Sequence, residues 1–302
     1  MEEWPHVLER AVESTRNGVL ITDPNQPDNP IVYANPAFER ITGYSTEEVL
    51  GRNCRFLQRH DSNQPALEEV REAIREGREC RVVVRNYRKN GALFWQELSI
   101  SPVRDDHGRI THFVGIQDDV TDRKLAEERL AHQAVHDPLT DLPNRVLFMD
   151  RLRDVYSRAQ RDVSATIAVL FLDLDDFKGV NETLGYRAGD LVLATVAERV
   201  EECLREEDTA ARLGGDEFIV LLERIDGIED ATRTAERILK ALQKPFALGE
   251  TERTLTASIG VALSTPASEN VRPQDLLRFA ELSMYRAKRN REASYMFFDS
   301  GG

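Results

Sequence analysis

The chain has 302 residues, 41% of them hydrophobic, enough to bury ordinary cores in about two domains. A formal charge of −13 argues against binding nucleic-acid polymers, and an acidic protein that handles nucleotides needs cations, from Lys, Arg or Mg²⁺. Three widely spaced cysteines argue against a disulfide framework, MEEWPHVLER lacks the apolar core of a signal peptide, and no apolar run approaches the roughly 18 residues a membrane helix needs, so a cytoplasmic protein with no membrane contact is expected. Residues 1–16 are expected to form a helical cap. Residues 17–120 read as an α+β unit with short strands at IVYAN, RVVVRNYR, LFWQELSIS and THFVGIQDDV. KNG, residues 89–91, signals a hairpin turn. PALEEVREAIREG is helical: Pro65 opens it, Leu67, Val70 and Ile74 share a face, and Gly77 stops it.

DDVTDRKLAEERLAHQAVHD, residues 118–137, is highly charged and lacks Gly and Pro. Val120, Ala126, Leu130, Ala131, Ala134 and Val135 fall on one side of a helical wheel. The segment reads as an exposed amphipathic connector that pairs with its copy as a short coiled coil in a homodimer, or as a solvated single helix. From Pro138 onward helices and strands mix. ATIAVLFLDL is a near-continuous apolar strand and AGDLVLATVAERVEECLRE a long helix. TAARLGGDEFIVLLE reads as two strands around Gly214 and Gly215, TLTASIGVALS as another, and PQDLLRFAELSMYRAKR as a last helix. The expected fold is α+β, with helices packed on a sheet.

Two stretches of this second unit carry carboxylates at strand ends. FLDLDDFK holds Asp173, Asp175 and Asp176, and RLGGDEF holds Asp216 and Glu217 after a Gly-Gly turn. Such groups repel one another, and a divalent cation is the natural compensation. Mg²⁺ typically takes one or two carboxylates plus substrate phosphates, and two ions can clamp a phosphoryl displacement. Paired glycines let a backbone approach phosphate closely. A solvated turn is the plainer reading of either stretch alone. No GxxxxGK[ST] is present, so a P-loop nucleotidase is not expected.

HDPLTDLPNR, LDLDDFKGVN, GYRAGD, RLGGDEF, LTASIG and MYRAK follow one another in order. From about His136 to Phe298 the chain resembles the GGDEF diguanylate cyclase domain. That resemblance implies condensation of two GTP into cyclic di-GMP with Mg²⁺, one GTP held by each of two facing subunits. It implies Asp173, Asp216 and the Leu174 carbonyl as metal ligands. Asp216 is also the candidate for assisting deprotonation of the ribose 3′-hydroxyl, and Glu217 lies beside metal and triphosphate. Asn181 and Asp190 match the guanine-reading pair. Lys178, Lys288 and the Phe177 backbone match phosphate positions, with Gly214 and Gly215 beside them. Arg205 and Asp208 form an RxxD resembling the family's inhibitory product site, and Arg237 is a second contact. Two positions depart from the family: Glu292 stands where a phosphate-contacting Arg is expected, with Arg289 or Arg291 as substitutes, and Glu281 where Asp is commoner.

GRNCRFLQ sets Cys54 among groups that bind polar ligands, an unusual place for a thiol that ordinarily packs as a small hydrophobe. With TDPNQPDNPIVYANPAFERITGY, NYRKNG and FVGIQ, residues 17–120 resemble a LOV domain, the flavin-binding blue-light branch of the PAS fold. The resemblance implies FMN held non-covalently in the dark and addition of the Cys54 sulfur to flavin C4a under light. It implies Arg55 and Arg71 at the FMN phosphate, and Asn86 and Gln117 at the isoalloxazine edge. Gln58 positions the ring, with Asn53 and Thr22 as lesser contacts. Gln96 stands where the family has Asn. Cys80 and Cys203 read as structural.

The expected organisation is a PAS/LOV antiparallel sheet over 17–120, a helical linker over 121–136 and a GGDEF domain over 137–302. The expected function is a light-regulated diguanylate cyclase, with GTP as substrate and cyclic di-GMP as product and inhibitor. The competing readings are a catalytically silent module that senses cyclic di-GMP through Arg205 and Asp208, and a PAS-type dimerisation or redox sensor that makes no use of light.

Overall fold

The computed structural model describes residues 3–161, 166–249, 251–264, 271–290 and 294–299. The chain divides into two compact units, Met1–Arg129 and Leu130–Gly302. In the first, α1 (Glu3–Ser14) precedes β1 (Gly18–Thr22) and β2 (Ile31–Ala34). Short helices α2 (Pro36–Thr42) and α3 (Thr46–Val49) follow, then a single 3₁₀ turn over Cys54–Gln58 and α4 (Pro65–Glu76). β3 (Cys80–Tyr87), β4 (Leu93–Arg104) and β5 (Ile110–Asp119) complete an antiparallel sheet in the order β2-β1-β5-β4-β3. Local chemistry sets the breaks. Asn35 caps α2 through its side chain, which accepts from the Phe38 amide, and Gly77 closes α4 in the left-handed region at φ 64°. The KNG turn is present, with the Arg88 amide bonded to the Ala92 carbonyl at 2.9 Å. β1 is absent from the predicted strands. It is five residues long and acquires its place by pairing on both sides, with β2 and β5.

The connector helix α5 spans Thr121–Val135, starting later than residue 118 because Asp118 and Asp119 belong to β5. The Asp119 carboxylate ends the strand by accepting from the Thr121 amide at 3.1 Å and its hydroxyl at 2.6 Å. α5 buries no residue and Leu130 is 66% exposed; of the expected apolar side, Val120, just ahead of the helix, is buried and Val135 is half-buried.

The second unit contains α6 (Arg145–Ala159), β6 (Thr166–Leu174), α7 (Phe177–Leu184) and α8 (Tyr186–Glu201). The hairpin β7 (Thr209–Gly214) and β8 (Glu217–Ile225) follows, then α9 (Ile228–Leu242) and the small pair β9 (Phe246–Leu248) and β10 (Thr251–Arg253). β11 (Ala257–Ser264), α10 (Pro273–Arg289) and β12 (Tyr295–Phe297) close it. The sheet runs β12-β11-β6-β8-β7, with only the β11–β12 pair parallel. β6 is buried on both faces. Ala168, Leu170 and Leu172 enter a core with Val192, Phe218 and Ile238, while Ile167, Val169 and Phe171 enter a second with Phe148, Leu276 and Met284. That double burial explains an apolar run without alternation. α8 ends at Glu201, five residues short of the predicted run. There the Asp208 side chain accepts from the Arg205 amide at 3.0 Å, and a turn replaces the helix. Among the described residues, no helix is long and apolar enough to cross a membrane.

α10 lies so close on β11 that a Cβ at Gly260 would fall 1.9 Å from the Ala280 carbonyl oxygen and 2.1 Å from the Met284 nitrogen. Backbone on both sides leaves no flexible atom to give way. Gly260→Ala is therefore expected to destabilise this unit by about 1–3 kcal/mol or more, read as a lower midpoint of chemical denaturation.

Candidate functional site

Each unit carries its own site. In the N-terminal unit the helical segments and the sheet enclose a cavity of about 540 Å³. All nine residues expected to meet a cofactor line it: Thr22, Asn53, Cys54, Arg55, Gln58, Arg71, Asn86, Gln96 and Gln117. Leu20, Leu57, Val84, Ile100 and Phe113 supply apolar wall. Cys54 opens the 3₁₀ turn, whose first amides are capped by Asn53: its side-chain oxygen accepts from Arg55 N at 3.0 Å, and its Nδ2 donates to the Asp28 carbonyl. Burial pushes the Cys54 thiol up to about 12, so it is a thiol and not a thiolate at neutral pH. Its accessible surface belongs to the cavity wall.

The amides sort into two groups. Asn86 Nδ2 donates to Gln96 Oε1 at 2.8 Å, while Asn86 Oδ1 and Gln117 Oε1 are buried with no hydrogen-bond partner. Buried unpaired acceptors are rare and costly, and both residues belong to the cavity lining. At the rim, Arg55 pairs with Asp28, and Arg71 with Glu68 at 2.7 Å. Asn29, missed in the sequence, lines the same cavity with a third unpartnered buried oxygen. The set fits a flavin: an isoalloxazine ring needs an apolar slot, amides of both polarities along one edge, and cations for a phosphate tail.

In the C-terminal unit, antiparallel register sets Asp173 of β6 directly opposite Glu217 of β8. The Gly214–Gly215 turn, with φ 141° and 55°, brings Asp216 alongside. Burial raises Asp173, and the charges of Asp216 and Asp175 add to it, against the opposing Lys288 ammonium. Burial likewise raises Glu217, with Glu281 and Asp173 contributing. Lys288 on α10 forms an ion pair with Asp173. Burial works against its ammonium, and Asp173, Asp216 and Asp175 outweigh that and hold it above the lysine range. Asp175 is committed elsewhere, accepting from Thr256 Oγ1 at 2.7 Å and Ser258 Oγ at 2.9 Å. No three His, Cys, Asp or Glu side chains converge as a metal cage among the described residues. Two carboxylates with the Leu174 carbonyl are a hard-oxygen set that suits Mg²⁺ completed by phosphate.

Gly189 admits the Asn181 amide, since a Cβ there would meet Asn181 Oδ1 at 2.0 Å. Asn181 thereby lies beside the segment that presents exposed Asp190. Phe177 is buried, so only its backbone is available at the start of α7. Lys178 is exposed and 3.5 Å from Glu182. Asp208 accepts from the Arg205 amide and from the Glu223 amide at 3.2 Å, and burial raises its carboxyl. Arg237 donates to the Cys203 carbonyl, two residues before Arg205. Arg291 and Glu292 lie outside the described residues. Sequence reasoning missed Arg212. Its guanidinium pairs with Asp137 at 2.8 Å and donates to the Gly215 carbonyl at 2.7 Å, so it pins the Gly-Gly turn. Its neighbour in the RLGGDEF motif was the signal.

Comparison with known proteins agrees unit by unit. The family described as "Diguanylate cyclase, GGDEF domain" matches residues 134–294, and a PAS domain matches residues 16–122. Diguanylate cyclase TpbB of Pseudomonas aeruginosa is 46% identical over 169 residues, covering 55% of this chain and 38% of TpbB. A blue-light photoreceptor of Listeria monocytogenes is 49% identical over 115 residues, covering 38% of this chain and 45% of that protein. The chain thus spans less than half the length of these curated relatives. Among solved structures, the TpbB GGDEF domain superposes with TM-score 0.50 at 40% identity, covering 53% of this chain and 98% of that one. The coiled coil and GGDEF domain of DgcB from Caulobacter crescentus, in complex with c-di-GMP, gives TM-score 0.53 at 27% identity, covering 59% and 93%. The chain belongs to the GGDEF diguanylate cyclase family and carries a LOV-like PAS domain ahead of that domain.

Proposed function

We propose that this protein condenses two GTP into cyclic di-GMP and pyrophosphate, under blue-light control exerted through Cys54 and FMN. The carrying observation is the crowding of Asp173, Asp216 and Glu217 behind a glycine turn, a charge excess suited to a divalent cation and a triphosphate. Asp173, Asp216 and the Leu174 carbonyl hold Mg²⁺, which supplies Lewis-acid polarisation and neutralises phosphate charge. Asp216 accepts the ribose 3′-hydroxyl proton. Asp190 and Asn181 read the guanine edge. Lys288, Lys178 and the Phe177 amide bind phosphate. Each unit holds one nucleotide, so two copies must face each other in a homodimer.

FMN would be held by Arg55 and Arg71 at its phosphate and by Asn86, Gln96 and Gln117 at its ring, with Thr22, Asn53 and Gln58 beside it, and when bound it would supply light-driven reactivity toward a thiol. Cys54 would present a neutral sulfhydryl there, sulfur and proton together. Gln117 answers by rotating its amide, exchanging acceptor for donor. It stands two residues before Asp119, which ends β5 and starts α5. Arg205 and Asp208 bind product and restrain the enzyme. The product complex of DgcB supports a cyclic di-GMP site in a related fold.

The deciding experiment incubates the purified chain with GTP and MgCl₂ in darkness and under blue light, quantifying cyclic di-GMP. Product is expected in both, at different rates. Asp216→Asn or chelation by EDTA should remove it, and Cys54→Ala should equalise the two rates while retaining flavin absorbance. No product would leave a cyclic di-GMP binding module. Gln117→Leu should preserve light-induced bleaching and narrow the light–dark difference; an unchanged difference would remove Gln117 from signalling. Arg205→Ala should leave the initial rate alone and raise the rate that survives added cyclic di-GMP.

A further inference from the structure

The end of α5 is held without apolar burial, since the helix buries no residue. Polar contacts do the holding. His132 donates from Nε2 to Asp141 Oδ1 at 2.6 Å. The His132 and His136 rings stack at 3.9 Å with an interplanar angle of 7°, and His136 Nδ1 lies 3.2 Å from the His132 carbonyl. Asp141 sits at φ 60°, a left-handed conformation uncommon outside glycine and tolerated by Asp. A position that would suit glycine thus carries a carboxylate, and that carboxylate meets the last turn of the connector.

We propose that His132 and Asp141 form a clasp that passes the position of α5 to the Gly-Gly turn, so that both are positioning residues in the control of the cyclase; the light arm of this rests on the reading above. The route is continuous. The Asp141 amide donates to the Asp137 carbonyl at 2.9 Å, Asp137 pairs with Arg212, and Arg212 donates to the Gly215 carbonyl. The Arg212 amide also donates to the Pro143 carbonyl at 3.0 Å, tying the clasp loop to β7. The clasp itself is exposed, with Asp141 at 81% and His132 at 50%, so its loss spares folding.

Three variants test it in the full chain. Asp141→Gly keeps the backbone and removes the acceptor. His132→Phe keeps a ring for stacking and removes the donor. Asp141→Asn keeps an acceptor and tolerates the same φ. Two readouts are taken: the ratio of lit to dark cyclic di-GMP synthesis, and dark-state hydrogen exchange at the His136 and Arg212 amides. The first two variants are expected to lower the ratio about threefold or more and to speed exchange at both amides, with an unchanged melting temperature. Asp141→Asn is expected to restore both. Wild-type ratio and exchange in Asp141→Gly and His132→Phe would overturn the clasp. If the wild type shows no light response, the light-control reading fails, and the exchange arm alone decides: faster exchange at Arg212 upholds the clasp and unchanged exchange refutes it.

Discussion

Like charges crowd at one end of the C-terminal sheet, and the surrounding structure is arranged to bear that crowding. Asp173 and Glu217 face each other across two central strands, with Asp216 at the adjoining turn. Burial raises two of these groups before their mutual repulsion adds to it. A fold gains nothing in stability from such an arrangement. It persists because β6 is buried on both faces and α10 lies against β11 with no room for a single methyl, so the scaffold is too rigid to spread the charges apart. Lys288 offsets part of the charge, and the remainder is the excess on which the proposed cation and nucleotide site rests.

The N-terminal cavity poses the opposite problem. Its wall is largely apolar, and three buried side-chain oxygens of its lining residues, on Asn29, Asn86 and Gln117, lack partners. The Asn86 and Gln117 side chains each keep a buried oxygen without a partner, which costs free energy. Burial in the same wall keeps Cys54 protonated.

The helix that follows the first unit along the chain buries none of its own residues. Its start is tied by Asp119, which also pairs with Arg88 at 2.5 Å. Its end is tied by Asn144, which donates to the Ala134 carbonyl while capping α6, and by the histidine contacts. Side-chain hydrogen bonds at an exposed helix end are individually weak, so this helix end is held less firmly than the cores on either side of it in sequence.

Much of the fold was legible because period and punctuation are local. β6 showed as an apolar run, the 209–223 hairpin as two strands about Gly214 and Gly215, and α4 as a face of apolar residues between Pro65 and Gly77. That the NCRFLQ residues would share a cavity wall and the RLGGDEF carboxylates a strand end was legible for the same reason, since each motif holds them within a few positions. β1 was not legible, because a five-residue strand is defined by its neighbours across the sheet. The early end of α8 depended on one carboxylate, Asp208, reaching back to an amide. Arg212 was hidden because its partner, Asp137, lies 75 residues away. Short-range order follows from backbone sterics and side-chain alternation, which any window of the sequence contains. Which distant charges meet, which amides are left without partners and which carboxylate is already committed depend on strand register and helix docking, and only the tertiary structure decides those.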